Sequence, residues 1–458
     1  MSALPSQTKF IVGNEACERF SFYGMRSILT LYMIHALGME EEASISVMHG
    51  FVALNYVMPL LGAWIADRWL GRYHTILFVS LFYCVGHGVL ASADLCGTLE
   101  ARRWVLYIGL FIIALGSGGI KPSVSAFVGD QMQGCGSSAM TRAYSAFYWS
   151  INLGSFFAFL LIPPASRLWG YGWAFGIPGL AMGAATFIFW LGRKRYRKVP
   201  PGRRSGGAGI FPVLFSAALL GWRRTCERFE PESILRARNM ARILLVFALV
   251  IPFWSLFDQM ASSWVVQGNS MRPIELPFAW LPREMQCIGA EQFQAANPVF
   301  VMIFVPLLTI FVYPHIGRWS RPLKRMSVGI ILAALAYGAV AWLQWFIDRG
   351  CSPSIAWQLI PCCMITIAEV LVSATGLEYA FTQAAPSLKS ITTSFWNLTI
   401  TFGNLLVVAL TQWMPGDSVS AGRFLLYGGL MLAVGVLFIA ATARMDGREH
   451  GAKGLSSS

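Results

Sequence analysis

The sequence predicts an all-α membrane protein in which twelve transmembrane helices form two six-helix bundles. Three observations carry that reading. Of 458 residues, 56% are hydrophobic and only 12% charged, about half the charge with which an ordinary soluble domain covers its surface. Apolar runs of about 20 residues, long enough to cross roughly 30 Å of hydrocarbon, recur in two sets of six. Lys and Arg concentrate in short clusters between those runs, the pattern of cytoplasmic loops. A net charge of +13 placed in this way argues for a lipid bilayer as partner and against nucleic acid. The apolar surplus excludes secreted and disordered classes.

In order, the expected spans lie near 10–36, 45–66, 74–93, 104–131, 142–162 and 173–192. The second set lies near 241–263, 290–313, 326–347, 356–384, 391–414 and 422–443. The first run is read as a retained spanning helix and not a signal peptide, because Glu15, Glu18 and Arg19 interrupt what would be an uncharged core. The chain thus divides into an amino-terminal bundle (1–192), a basic linker (193–240), a carboxy-terminal bundle (241–443) and a tail (444–458).

The linker opens with VPPGRRSGGAG and carries RKRYRK, Arg203, Arg204, Arg223, Arg224, Arg228, Arg236 and Arg238. It also contains IFPVLFSAALLGW, an apolar piece too short to span and read as a surface-lying amphipathic segment. Arg318, Arg321, Lys324 and Arg325 charge the 314–325 loop, whereas the loop at 37–44 on the other side is acidic. The positive-inside rule then puts both termini in the cytoplasm. Six helices, a basic linker and six more resemble the major facilitator fold, whose halves rock about a site near the bilayer midplane. Of nine cysteines, Cys96, Cys287 and Cys351 fall in expected external loops, with room for one disulfide but no framework spacing.

Ionisable groups inside a span are costly unless they pair or face a cavity. In the first span, Glu15, Glu18, Arg19, Tyr23 and Arg26 fall within an arc of roughly 140° at about 100° per residue. One face of that helix is therefore charged. It serves either as an internally neutral glue between helices or as a functional cluster. Lys121 lies in the fourth span, Asp258 in the seventh, and Glu369 and Glu378 in the tenth. Counted from the side where each helix enters, Arg26 and Asp258 match in depth to within about one turn, as do Lys121 and Glu369. Two ion pairs between the halves are expected, Arg26 with Asp258 and Lys121 with Glu369, as gating bridges. Otherwise each charge faces water in a cavity. His49, one of six histidines, is either a packed helix-end residue or a proton site.

The quoted residues also resemble a known family. ExxERFSFYGMR (Glu15 to Arg26), GSGGIKPSVSAFVGDQ (Gly116 to Gln131), FYWSINLGS (Phe147 to Ser155), FWSLFDQ (Phe253 to Gln259), NPVF (Asn297 to Phe300) and EVLVSATGLEYAFTQAAP (Glu369 to Pro386) are similar, in order, to motifs of the proton-dependent oligopeptide transporters. These belong to the major facilitator superfamily. The resemblance implies import of di- and tripeptides with protons, by alternating access and without a cofactor or metal. It further implies that Arg26 and Lys121 hold the peptide carboxylate and that Glu369 meets the amine, helped by Asn152 and Asn297. Tyr23, Tyr56, Trp254 and Trp396 would line side-chain pockets. Glu15, Glu18, Arg19, His49 and Asp258 would couple the proton. ADRWLGR (Ala66 to Arg72) looks like the superfamily's cytoplasmic loop motif, in which Asp67 and nearby arginines brace the closed inner gate. The expected location is the plasma (cytoplasmic, or cell inner) membrane, and the expected state a monomer.

A carrier of another small solute, such as an amino acid, nitrate or a peptide-like metabolite, is the alternative. An intact ExxER together with Lys121 and Glu369 weighs toward peptide, since an anion carrier needs no acidic clamp for an amine. An embedded enzyme using Glu15 or Glu378 is disfavoured, because no HExxH or GxSxG motif occurs and the acids are spread over several helices. No GxxxxGK[ST] phosphate loop is present, which argues against ATP-driven pumping.

Overall fold

Inside hydrocarbon the backbone has no partner but itself, so apolar runs of this length fold as helices. The computed structural model describes residues 4–201, 210–385, 388–414 and 416–455. Arg203, Arg204 and Pro386 lie outside the described residues.

The first six long helices are α1 (Thr8–Leu31, running on as a π-turn through Tyr32–Ala36), α2 (Glu41–Ile65, with a π-turn at Ala66–Leu70), α3 (Gly71–Ala91), α4 (Leu99–Gln131), α5 (Ser137–Trp169) and α6 (Tyr171–Leu191). A shorter helix, α7 (Ile210–Cys226), precedes α8 (Pro231–Phe257), which passes through a tight turn at Asp258–Ala261 into α9 (Ser263–Asn269). A two-residue hairpin, β1 (Ile274–Glu275) against β2 (Cys287–Ile288), leads to α10 (Ala290–Phe293) and α11 (Ala296–Pro306, with a π-turn at Leu307–Val312). The chain ends with α12 (Pro322–Ile347), α13 (Leu359–Glu369), a π-turn at Val370–Ala374, α14 (Thr375–Gln383), α15 (Lys389–Trp413) and α16 (Ala421–Leu455).

Among the described residues, ten segments are long and apolar enough to cross a membrane. One of them, Glu41–Leu95, holds two helices, α2 and α3. They meet at Gly71, whose φ of +71° is a left-handed conformation that suits glycine. α1 falls outside the ten because its charges lower its apolarity, yet it is 24 residues long before its π-turn. The described residues therefore form twelve membrane-length crossings. The helices overrun the apolar runs. α4 and α5 have 33 residues each, about 50 Å at ~1.5 Å per residue, because a helix continues into its polar flanks where hydropathy no longer marks it.

Two hydrophobic cores result. One gathers α1 to α6 around Phe22, Ile113, Phe127 and Phe175. The other gathers α8 to α16 around Phe253, Met326, Tyr337 and Phe424. α2 packs on α15, and α5 on α11, across the divide. All nine cysteines are free thiols, so the disulfide considered for Cys96, Cys287 and Cys351 does not form.

Glycines set the position of α4. A Cβ at Gly62 would fall on the Cα of Gly119, and one at Gly118 on the Cβ of Met58. The GSGGIK run thus lets α4 lie directly on α2 and brings Lys121 inward. Replacing Gly62 by Val should destabilise the protein by about 1–3 kcal/mol through overpacking, read as a lowered Tm of the purified protein. An unchanged Tm would mean that α2 and α4 do not meet there.

Candidate functional site

Between the bundles lies a cavity of about 230 Å³. Nine of the residues singled out in the sequence line it: Tyr23, Arg26, Tyr56, Asn152, Trp254, Asp258, Asn297, Glu369 and Trp396. They come from α1, α2, α5, α8, α11, α13 and α15, and from the turn after α8. Trp254 and Trp396 meet edge to face, with ring centroids 6.0 Å apart, and form an apolar wall. Tyr148, Ser155 and Ser373 also face this space and were not foreseen.

The charges of the cavity are held in fixed partnerships. Arg26 Nη2 donates to Asp258 Oδ1 at 2.8 Å, both side chains being buried. Asn404 Nδ2 donates to the other carboxylate oxygen at 2.8 Å. Its Oδ1 is 2.7 Å from His49 Nδ1, and His49 Nε2 is 2.8 Å from Ser262 Oγ. The network assigns the protons. A carboxylate only accepts, so the amide nitrogen of Asn404 must face Asp258 and its oxygen must face His49. His49 therefore donates from Nδ1, and in the neutral ring Nε2 accepts from Ser262. Both His49 and Asn404 are fully enclosed. His49, Asn404, Asp258 and Arg26 form one hydrogen-bonded chain across the bundle divide.

Glu369 accepts from Asn297 Nδ2 at 3.2 Å. Among the described residues the ammonium of Lys121 has no hydrogen-bond partner, and it is enclosed beside the cavity without lining it. It rests over the rings of Phe22 (4.3 Å) and Tyr56 (4.4 Å), which attract it through their π faces. Among the described residues no ion pair joins Lys121 to Glu369, so the second expected bridge is absent from this conformation. Depth counting fixes the level of a residue in the membrane but not the direction in which it points. Deeper in the amino-terminal bundle, Arg19 binds Glu15 (3.0 Å) and Glu18 (2.5 Å) at once, all three buried. Lys121 lies within Coulombic range of Arg19 and Glu18.

At one end the bundles are tied together. Besides Arg26 and Asp258, Thr30 donates to the carbonyl of Ala261 (2.9 Å) and Gln294 to that of Ser27 (3.4 Å). Arg167 lies 3.9 Å from Glu291 and donates to Gln292 (3.1 Å). Ser418 donates to Glu42. At the other end a cleft of about 690 Å³ separates the bundles, with Pro59, Ala63, Asp67 and Tyr144 on one wall and Leu377, Phe381 and Asn397 on the other. The molecule is closed where α1 ends and open where it begins. In this open state Arg72 pairs with Asp130 of α4 (2.5 Å) and Asp67 faces the cleft. Glu378 is taken up by Arg325 (2.6 Å).

Sequence reasoning missed Asn404, Ser262, Arg167 and Glu291. Asn404 was visible as an amide inside the apolar run TITFGNLLVVAL. Arg167 and Glu291 sit at span edges, where a charge raises no alarm. Among the described residues no group of three or more His, Cys, Asp and Glu could hold a metal ion.

Removing one partner of a buried pair typically costs about 3–5 kcal/mol because the other charge is stranded. Arg26→Leu and Asp258→Leu should each lower Tm, and the double variant should lower it by less than the sum of the two. Additive losses would exclude the pairing.

A family model described as the POT family matches residues 73–231 and 223–421. The chain is 36% identical to solute carrier family 15 member 2 of Rattus norvegicus in an alignment that covers 82% of this chain and 54% of the relative. It is 36% identical to peptide transporter family 1 of Drosophila melanogaster, over 76% of this chain and 48% of the relative. The chain spans about half the length of the curated relatives it matches. The crystal structure of the POT family transporter PepTSo superposes with a TM-score of 0.86 at 36% identity, covering 97% of this chain and 99% of that one. An auto-inhibited POT family peptide transporter gives 0.83 at 36% identity, with 96% and 97% coverage.

Proposed function

The chain belongs to the POT family, and from that premise we propose that it is a proton-coupled symporter importing di- and tripeptides by alternating access. The observation that carries this reading is a small cavity between the bundles with a guanidinium on one side, the Glu369 carboxylate on another and an aromatic wall. A zwitterion of two or three residues offers opposite charges at its ends and variable side chains between them. Arg26, with Lys121 nearby, takes the carboxylate. Glu369, oriented by Asn297, takes the amine, and Asn152 adds a hydrogen bond. Tyr23, Tyr56, Trp254 and Trp396 give broad apolar contact that leaves side chains loosely specified.

The proton acts on the ties that compete for the same cations. With Asp258 ionised, Arg26 is engaged and the bundles are latched at that end. A proton reaching Asp258 breaks the latch and frees Arg26 for the peptide carboxylate, and His49 feels the change through the amide of Asn404 that bridges it to Asp258. The ExxER cluster repeats this logic. Protonating Glu15 or Glu18 loosens Arg19, and the change reaches Lys121 through space. In this scheme Lys121 and Glu369 are joined by the bound peptide, or by each other in a different conformation. The basic ends of the spans support cytoplasmic termini, so in the plasma membrane, where import of peptides calls for the protein, the wide cleft opens to the cytoplasm and the latched end faces outward. One chain holds the whole cavity, in keeping with a monomer.

Uptake of a labelled dipeptide into proteoliposomes tests this reading. An inward proton gradient should drive accumulation, and Glu18→Gln should abolish the response to the gradient. Lys121→Ala should raise KM about tenfold or more, as expected for losing a hydrogen bond to a charged group (~1.5–3 kcal/mol). Uptake indifferent to the gradient would refute the coupling, and robust transport of another solute without dipeptide uptake would refute the cargo.

The latch makes a separate prediction. Exchanging the charges (Arg26→Asp with Asp258→Arg) should restore more gradient-driven uptake than either single reversal. Recovery no better than the singles would show that Arg26 and Asp258 do not act as a pair.

A further inference from the structure

We propose that α7 is a docking face for anionic phospholipid of the leaflet on the linker side, which is the cytoplasmic leaflet in the orientation proposed above. Its first eleven residues, IFPVLFSAALL, hold a single polar side chain, Ser216. One face is already occupied. Ile210 and Val213 are buried against Ala237 and Met240 of α8 and against Leu388, and Phe211 meets Phe395 of α15 with ring centroids 6.4 Å apart. The outward side carries Phe215 and Leu219, spaced four residues apart and therefore stacked on one side of the helix, with Phe211 at its edge and only partly covered by Phe395. Phe211, Phe215 and Leu219 are 47%, 66% and 67% exposed. A helix apolar on both faces is unsuited to water. With its inner face packed on the bundle, its outer face needs an apolar neighbour that the described residues do not supply.

The charge beside this face selects the neighbour. At Gly221, φ +77°, the helix breaks. The following turn is pinned back to α8 by Arg238, which lies over the Trp222 ring (5.5 Å) and donates to Cys226 Sγ (3.3 Å). The kink leaves Arg223, Arg224 and Arg228 exposed. Among the described residues none of the three is in an ion pair, and they outnumber Glu227 and Glu230. Acyl chains against the phenylalanines and phosphates against the arginines satisfy both halves of the segment. A soluble protein partner would not need the apolar face to end in cations at headgroup level.

Native mass spectrometry of the purified full chain, equilibrated with mixed phosphatidylglycerol and phosphatidylcholine, tests the assignment. The parent should retain phosphatidylglycerol preferentially. The triple variant Arg223→Gln, Arg224→Gln, Arg228→Gln should lose most of that preference, roughly fivefold per arginine, at unchanged Tm, whereas the triple Arg→Lys variant should keep it. A photoreactive residue placed at 215 in intact membranes should crosslink to lipid. Equal preference in the Gln variant, or a crosslink to another protein, would overturn the proposal. Neither readout involves peptide uptake, so each stands or falls apart from the transport reading.

Discussion

A charge surrounded by hydrocarbon must find a counter-charge, a donor or a π face, and the interior of this protein is organised by that requirement. The chain has few charged residues for its length, and most of those that enter the membrane are spoken for. Arg19 lies between two glutamates, Arg26 on Asp258, Arg325 on Glu378 and Arg72 on Asp130. Among the described residues Lys121 rests on aromatic faces alone, and Glu369 has only the amide of Asn297. The Lys121 ammonium is enclosed behind Tyr56, which itself lines the cavity.

The same requirement explains why the bundles meet as they do. The polar contacts described above tie the bundles at one end, while the cleft at the other end has small and apolar side chains such as Pro59, Ala63, Leu377 and Phe381 beside polar ones such as Asp67, Arg72 and Asn397. Polar ties hold strongly when dry and yield when a proton or a competing charge reaches them. In the open cleft Arg72 is paired within its own bundle, with Asp130, so this opening leaves that cation partnered. A protein latched by ionic and hydrogen-bonded groups on one side and parted by a mixed polar and apolar cleft on the other can favour one opening at a time.

Much of this was legible in the sequence, for identifiable reasons. Hydropathy marks a crossing because the bilayer demands it, so the runs were readable. Helix ends were not, because α4 and α5 extend into polar flanks that composition treats as loop. Arg26, Asp258 and Glu369 stood out as charges inside apolar runs, whereas Tyr56, Asn152, Trp254, Asn297 and Trp396 were reached only through the resemblance to the family. Depth counting put Arg26 level with Asp258 and Lys121 level with Glu369. The first two side chains are 2.8 Å apart and the second two are not joined, since azimuth around a helix depends on packing that no count contains. Asn404 shows another limit. A neutral amide in a span attracts little notice, yet here it bridges an imidazole and a carboxylate.

The π-turn at Val370–Ala374 directly follows Glu369. Such a turn holds one residue more than the α-helical repeat, so everything beyond it is rotated by about 100° relative to an unbroken helix. That surplus residue sets the phase between the two halves of the crossing. Glu369 looks into the cavity while Glu378, nine positions on, turns toward Arg325. Removing a single residue from the turn would leave both carboxylates in the chain but aim one of them at the wrong neighbour. The crossing therefore tolerates changes of side chain better than changes of length.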